Sequence, residues 1–406
     1  MKYLFNLVIF ISILSSCFGQ TISTTNKIKH YVEKAERYLD FKKALSTYYS
    51  VDERGISVFA NPKDKINNKP EYYCSWDSIE RLRLPNRLNK DTTKSLLGYK
   101  IAIDAGHTAG NIASGKIEQK FIRFKQPNNN GKVDSIELDE GELTYATSVL
   151  LKKKLEDKGA EVLLTRKFNG ATSFGISFDG WLRCSFKNAV DSLYKISKIN
   201  EEKRNWLLTK ATKRDKFKLV FKDIELQKRA EVINQFHPDF TIIIHFNVDE
   251  TNTGWTKPTK KDFNMAFVGG AFMKSDLLTS EKRFSFFHLL VSDDLENSIQ
   301  LSSQVIRSFE TTLSVKTAGI NDAKYLKEGC LPTSKNGVFC RNLQLTRYVH
   351  SPLVYGETLY QDNIEECVLL NKETDKTKNT RIMKVANAYF IGVMNYVLKK
   401  ATANDN

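Results

Sequence analysis

Two histidines sit where a metal could use them. In YKIAIDAGHTAG, residues 99–110, apolar residues alternate with other types through Ile101, Ala102, Ile103 and Asp104, and Ala105-Gly106 then breaks the run. That pattern predicts a buried strand ending in a tight turn, with His107 at its carboxyl end. A second strand, FTIIIHFN at residues 240–247, also delivers a histidine, His245. In open α/β sheets, chemistry collects at the carboxyl edge of the strands. Two neutral imidazoles brought to one edge can share a metal ion. A hydrolytic zinc site takes three protein ligands from His and carboxylate and keeps one position for water. The rest of the chain must supply the third ligand, a base and a cover.

The elements that would position these groups follow from spacing. Residues 108–139 read as a polar segment with a loop at Asn128-Asn129-Asn130-Gly131. Residues 142–158 read as a helix, apolar at Leu143, Ala146, Leu150, Leu151 and Leu155, with Gly159 as its stop. Residues 160–166 read as a strand, which completes a parallel strand–helix–strand unit. A long interruption spans 167–228. Its second half, 191–227, is rich in Lys and Arg and reads as helical, with Trp206, Leu207 and Leu208 as anchors. Further on come a polar loop at 248–262, a strand at 263–272, a helix at 298–313, two short strands at 337–341 and 353–357, and a final helix at 381–398. This order predicts an α/β fold, a mostly parallel sheet flanked by helices, with an inserted helical segment and an N-terminal extension. No chemistry is visible in the extension, residues 20–96.

The chain has 406 residues, 41% hydrophobic, and a formal charge of +15. An anionic envelope polymer, a membrane surface or nucleic acid would each suit that charge. Residues 1–19 decide among them. Lys2 and the apolar run Leu4 to Leu14, too short to span a bilayer, read as an export signal, which argues against nucleic acid. The cleavage site reads two ways. Leu14-Ser15-Ser16-Cys17 resembles a lipobox, which would leave a lipid anchor at Cys17, the chain's one expected tie to a membrane. Cys17-Phe18-Gly19 before Gln20 suits ordinary cleavage and a soluble product. The expected location is the periplasm or the outer membrane of a bacterium. Five cysteines follow the signal, widely spaced and without metal-finger spacing, and Cys330 with Cys340 is the one pairing the spacing suggests.

The motifs together resemble the zinc-dependent N-acetylmuramoyl-L-alanine amidases of the cell-wall hydrolase type, whose fold is a twisted α/β sheet. The resemblance rests on Asp104-Ala105-Gly106-His107, a glutamate opening a helix, Thr165-Arg166, the pair Arg229 and Asn234, His245-Phe246-Asn247 eleven residues after that Asn, and Glu357 with Asn363 six residues on. It spans roughly residues 97–398, with insertions at 167–228 and 248–297. It implies a zinc ion held by His107, His245 and a glutamate, and Glu357 as general base. It also implies peptidoglycan as substrate, cut between N-acetylmuramic acid and the L-alanine of the stem peptide.

Asp139-Glu140-Gly141-Glu142 offers more than one carboxylate as third ligand. Counting back from Gly159 as in the family favours Glu140. Asp139 and Glu142 also have capping-box spacing, which would occupy Glu142 at the helix start and leave Glu140 free. Glu142 stays the alternative. The sequence departs from the family in three places: Thr108 follows the first His, Leu359-Tyr360 replaces a Gly-Phe pair, and the 167–228 insertion is long. Some relatives carry an inserted helix that covers the zinc until an activator protein removes it, and 191–227 is expected to do the same or to bind anionic polymer. Two rival functions share these residues: a non-hydrolytic peptidoglycan-binding protein, and a zinc peptidase on another envelope amide.

Overall fold

A computed structural model describes residues 24–83, 95–127 and 133–404. The export segment with Cys17 and the 128–131 loop lie outside the described residues. The chain forms two compact units.

The first unit joins the described part of residues 1–86 to a later segment, 270–293. Strands β1 (Tyr49–Asp52), β2 (Gly55–Val58) and β3 (Tyr72–Ser75) make an antiparallel meander. The helix Ser280–Val291 packs on it through buried Phe286, Leu289 and Leu290. Tyr49 meets Phe286 at 5.5 Å between ring centroids, and Tyr72 stacks on Phe287 at 5.6 Å. Arg283 is paired with Glu71. Strands of four residues with little alternation leave no clear signal in the sequence, so none of these strands is expected from it.

The second unit holds an eight-stranded, mostly parallel sheet. Its first strand, β4 (Lys100–Ala105), is followed by helix α1 (Ile112–Glu118) and a hairpin of β5 (Phe121–Pro127) and β6 (Val133–Asp139). The sequence reading missed this hairpin. Its apolar set, Ile122, Phe124, Ile136 and Leu138, alternates as a half-buried pair should, but charged residues between them dilute the pattern. Helix α2 (Glu140–Glu156) starts where β6 ends, and β7 (Glu161–Leu164) then pairs with β4. The insertion folds into short helices, Phe178–Cys184, Phe186–Lys195 and Glu201–Thr209, around a small core of Trp181, Phe186, Leu207, Phe217 and Phe221. It runs on into helix α3 (Lys222–Phe236).

The remaining strands are β8 (Phe240–Asn247), β9 (Phe263–Val268), β10 (Lys316–Thr317), β11 (Cys330–Pro332), β12 (Val338–Arg341) and β13 (Leu353–Tyr360). They assemble in the order β11-β12-β9-β13-β8-β4-β7, with β10 beside β9. β13, β8, β4 and β7 are parallel neighbours, and β9 runs against β13. Every residue of β8 is buried, as expected for a central strand covered on both faces. One face packs Ala102, Ile243 and Leu353 against Ala230 and Ile233 of α3. Helices α4 (Asp294–Leu313) and α5 (Thr380–Asn404) complete the unit. Gly356 marks how tightly α5 approaches the sheet: a Cβ there would lie 2.1 Å from the Tyr389 hydroxyl.

The expected Cys330–Cys340 pairing does not form, and all five described cysteines are free. The two lie on adjacent antiparallel strands, but Cys330 is opposite Arg341 and Cys340 is opposite Leu331. Residues one step apart on a strand point to opposite faces, so the two thiols do too.

Candidate metal centre

Three parallel strand ends and one helix start meet at the carboxyl edge of the sheet. His107 lies just past β4, held in the left-handed region at φ 63°. Gly106 before it must be glycine, because a Cβ would lie 2.4 Å from Cε1 of the His245 ring. His245 sits near the end of β8, and Glu357 on β13 is its partner in register. Glu140 opens α2, and Asp139 is the N-cap, accepting from the Gly141 and Glu142 amides at 2.9 and 3.3 Å. Half of the expected capping box is therefore present. Among the described residues Glu142 returns no bond to the Asp139 amide.

His107 Nε2, His245 Nδ1 and a Glu140 carboxylate oxygen form a near-equilateral triangle. The nitrogens lie 3.1 Å apart, and Oε1 is 3.0 Å from His107 and 3.1 Å from His245. The other Glu140 oxygen, Oε2, is buried and has no hydrogen-bond partner. Donors about 2.0–2.1 Å from one tetrahedral zinc lie roughly 3.3 Å from one another, so this donor set fits that ion. The structure thus gathers His107, Glu140 and His245, and leaves Glu142 outside the group.

The surroundings fix these side chains. Glu118, at the end of α1, places Oε1 3.0 Å from His107 Nδ1, while its Oε2 accepts the Thr108 and Ala109 amides at 3.1 Å each. A carboxylate can only accept, so this contact keeps the proton on Nδ1 and turns the Nε2 lone pair to the centre. The sequence reading passed over Glu118, since a carboxylate eleven residues beyond His107 belongs to no motif. Thr108, where the family has Gly, joins the same contact through its hydroxyl at 3.4 Å. Tyr355 stacks flat on the His245 ring, 4.6 Å between centroids and 6° between planes. Arg229 is fully buried and bonds Asp104, Glu225, the Ala105 carbonyl and the His107 carbonyl. Arg166 holds the carbonyls of Gly141 and Ala109. These two arginines carry the turn and the helix start, not the centre itself. Asn234 bonds the Tyr348 carbonyl, and Asn363 caps the helix Ile364–Leu370.

Electrostatics separate the two central glutamates. Burial raises both, but His107 and Lys120 beside Glu140 hold that carboxyl well below the ordinary range. Burial, with the charge of Glu140 added, pushes Glu357 up to about 8. Burial drives His245 down to about 4, which keeps it neutral as a ligand must be. Burial also opposes charge on His107, yet Glu140 and Glu118 outweigh it and its value is raised. Two cavities open on this edge, of about 560 and 420 Å³, and Lys120, Arg341 and Glu357 line both. The insertion contributes Phe217 to the wall of the larger one.

A family model described as N-acetylmuramoyl-L-alanine amidase matches residues 101–387, which include all four central side chains. The chain belongs to the N-acetylmuramoyl-L-alanine amidase family. It is accordingly a peptidoglycan hydrolase of the amidase class, acting at the cell wall. Solved structures similar to it include the CwlD amidase of Clostridioides difficile in complex with the GerS lipoprotein. That one is 18% identical, with a TM-score of 0.40 over 74% of this chain and 99% of that one. Ami1 of Mycobacterium abscessus is 14% identical, with a TM-score of 0.39 over 74% and 99%. The CwlV catalytic domain of Bacillus (Paenibacillus) polymyxa is 13% identical, with a TM-score of 0.37 over 73% and 97%. No curated protein matches. No helix among the described residues is long and apolar enough to cross a membrane.

Proposed function

We propose that this amidase is zinc-dependent, with His107, Glu140 and His245 as the ligands and Glu357 as general base and acid. The observation that carries this reading is the triangle of donor atoms beside a buried carboxyl of raised pKa. Zinc bound there would supply Lewis acidity to the attacking water and to the amide carbonyl. The chain's own groups do the rest. Glu118 and Tyr355 hold the two imidazoles in place. Glu357 accepts a proton from water and returns it to the amide nitrogen as the lactyl–alanine bond breaks. Without metal, burial and the charge of Glu140 push this carboxyl up to about 8; a cation bound at the triangle would lower it and so make the carboxylate available to take the proton.

The mature protein is exported, and a lipid at Cys17 would hold it on the outer membrane. Replacing Cys17 with Ser should abolish labelling by radioactive palmitate; unchanged labelling would exclude that anchor. An activator fits the insertion, which bears exposed Tyr194, Ile196 and Leu219 and reaches the cleft wall at Phe217. It would act by shifting that wall.

The test of the reaction is digestion of purified peptidoglycan with product analysis by mass spectrometry. Free stem peptides with an N-terminal alanine, and glycan without peptide, are expected. Peptides cut internally would point to a zinc peptidase. Binding of peptidoglycan with no new product would point to the non-hydrolytic rival.

A further inference from the structure

Arg341 ends β12, half-buried, on the sheet face that also carries Tyr355 and Glu357. Its guanidinium packs on two rings, 4.7 Å from the Tyr325 centroid and 4.8 Å from that of Phe267. Among the described residues that guanidinium makes no hydrogen bond and no ion pair, while the Arg341 carbonyl accepts from the Leu343 amide and the Thr346 hydroxyl. The other cations of the cleft differ. Arg229 is bonded to Asp104 and Glu225, Arg347 to Asn342, and Lys120 is paired with Glu140. Lys222 stands exposed at the rim. Arg341 lines both cavities beside Glu357, and its positive charge works against the rise in that carboxyl's pKa. Ring faces attract a guanidinium but give its five in-plane N–H groups no directional acceptor. Those donors form a fork shaped for a carboxylate.

The substrate's chemistry says which carboxylate. On the sugar side of the scissile bond the lactyl carboxyl is consumed in the amide, so that side is uncharged. The peptide side carries the free carboxylates. We propose that Arg341 is a specificity-determining residue that binds a carboxylate of the stem peptide one residue beyond the alanine, and so seats the leaving group beside Glu357. This rests on the amidase reading for the identity of the ligand.

The probes are L-alanyl-D-glutamine, whose α-carboxylate is free, and its α-amide, which differs only there. Binding of each to the zinc-supplemented full chain is measured by calorimetry for wild type, Arg341→Gln and Arg341→Lys. Wild type should bind the acid at least tenfold more tightly than the amide. Arg341→Gln should lose most of that ratio, and Arg341→Lys should keep part of it. Equal binding of acid and amide by wild type, or an unchanged ratio in Arg341→Gln, overturns the proposal. Hydrolysis of the muramyl forms of both peptides is followed in parallel. If Arg341 acted only by tuning Glu357, Arg341→Gln would slow both substrates equally and shift the pH profile, which also overturns it. Absence of hydrolysis with discrimination in binding retained would sink the amidase reading and leave Arg341 as a carboxylate site.

Discussion

At the scale of single residues, the account separates ligand, positioning group and base. Glu140→Ala should abolish metal retention, whereas Glu142→Ala should leave it intact, as read by metal content after gel filtration. Glu118 is bonded to the His107 ring and acts through it, so Glu118→Gln should weaken zinc affinity by about 10–100-fold. Competition with a chromophoric chelator measures this directly. Glu357→Gln should lower turnover by about 10²–10⁴-fold while zinc stays bound. The same substitution tests the electrostatics. The folded protein holds the Glu357 proton up to about pH 8, but the unfolded chain releases it near the ordinary value of 4.5. Between those values the native state binds more protons, so this group makes stability fall as pH rises. Metal-free Glu357→Gln should therefore melt above metal-free wild type at pH 8, and the gap should close below pH 4.5. A gap independent of pH would contradict the assignment.

At the scale of elements, the site depends on how closely two strands and a helix start approach. Gly106→Ala should displace the His245 ring and cost zinc binding without removing any ligand, visible as metal loss from a protein that still shows a cooperative melt. Glu225→Ala should leave the Arg229 guanidinium buried with less compensation, at a cost of about 3–5 kcal/mol in denaturant unfolding. The strands that carry the histidines were readable because β4 and β8 are apolar runs ended by a Gly turn and by polar residues. The interval back from Gly159 and the capping-box spacing of Asp139 and Glu142 favoured Glu140 over Glu142, and the family resemblance singled out Glu357. The β5–β6 hairpin was not readable, and with it went Glu118, whose position depends on a tertiary contact between α1 and the His107 turn. Leu359, where the family has Gly, shows how context overrides a local rule. Its φ is 52° at a bulge in β13, a conformation suited to glycine, yet its side chain is fully buried. Burial of the leucine offsets the backbone strain.

At the scale of the whole chain, the sequence predicts an α/β domain, an extension and an insertion, but not which distant segments pack together. Residues 270–293 join the N-terminal unit through Phe286 and Arg283, a pairing across roughly two hundred residues that no periodicity can announce. The insertion likewise has a core of its own and forms a wall of the cleft. The measurement that bears most directly on the central claim is zinc stoichiometry set beside peptide release, for wild type, chelator-treated wild type and chelator-treated wild type with zinc restored. One zinc per chain is expected, with release lost on chelation and recovered on return of the metal. A chain that carries no zinc and releases stem peptides at the same rate with chelator present would contradict the account.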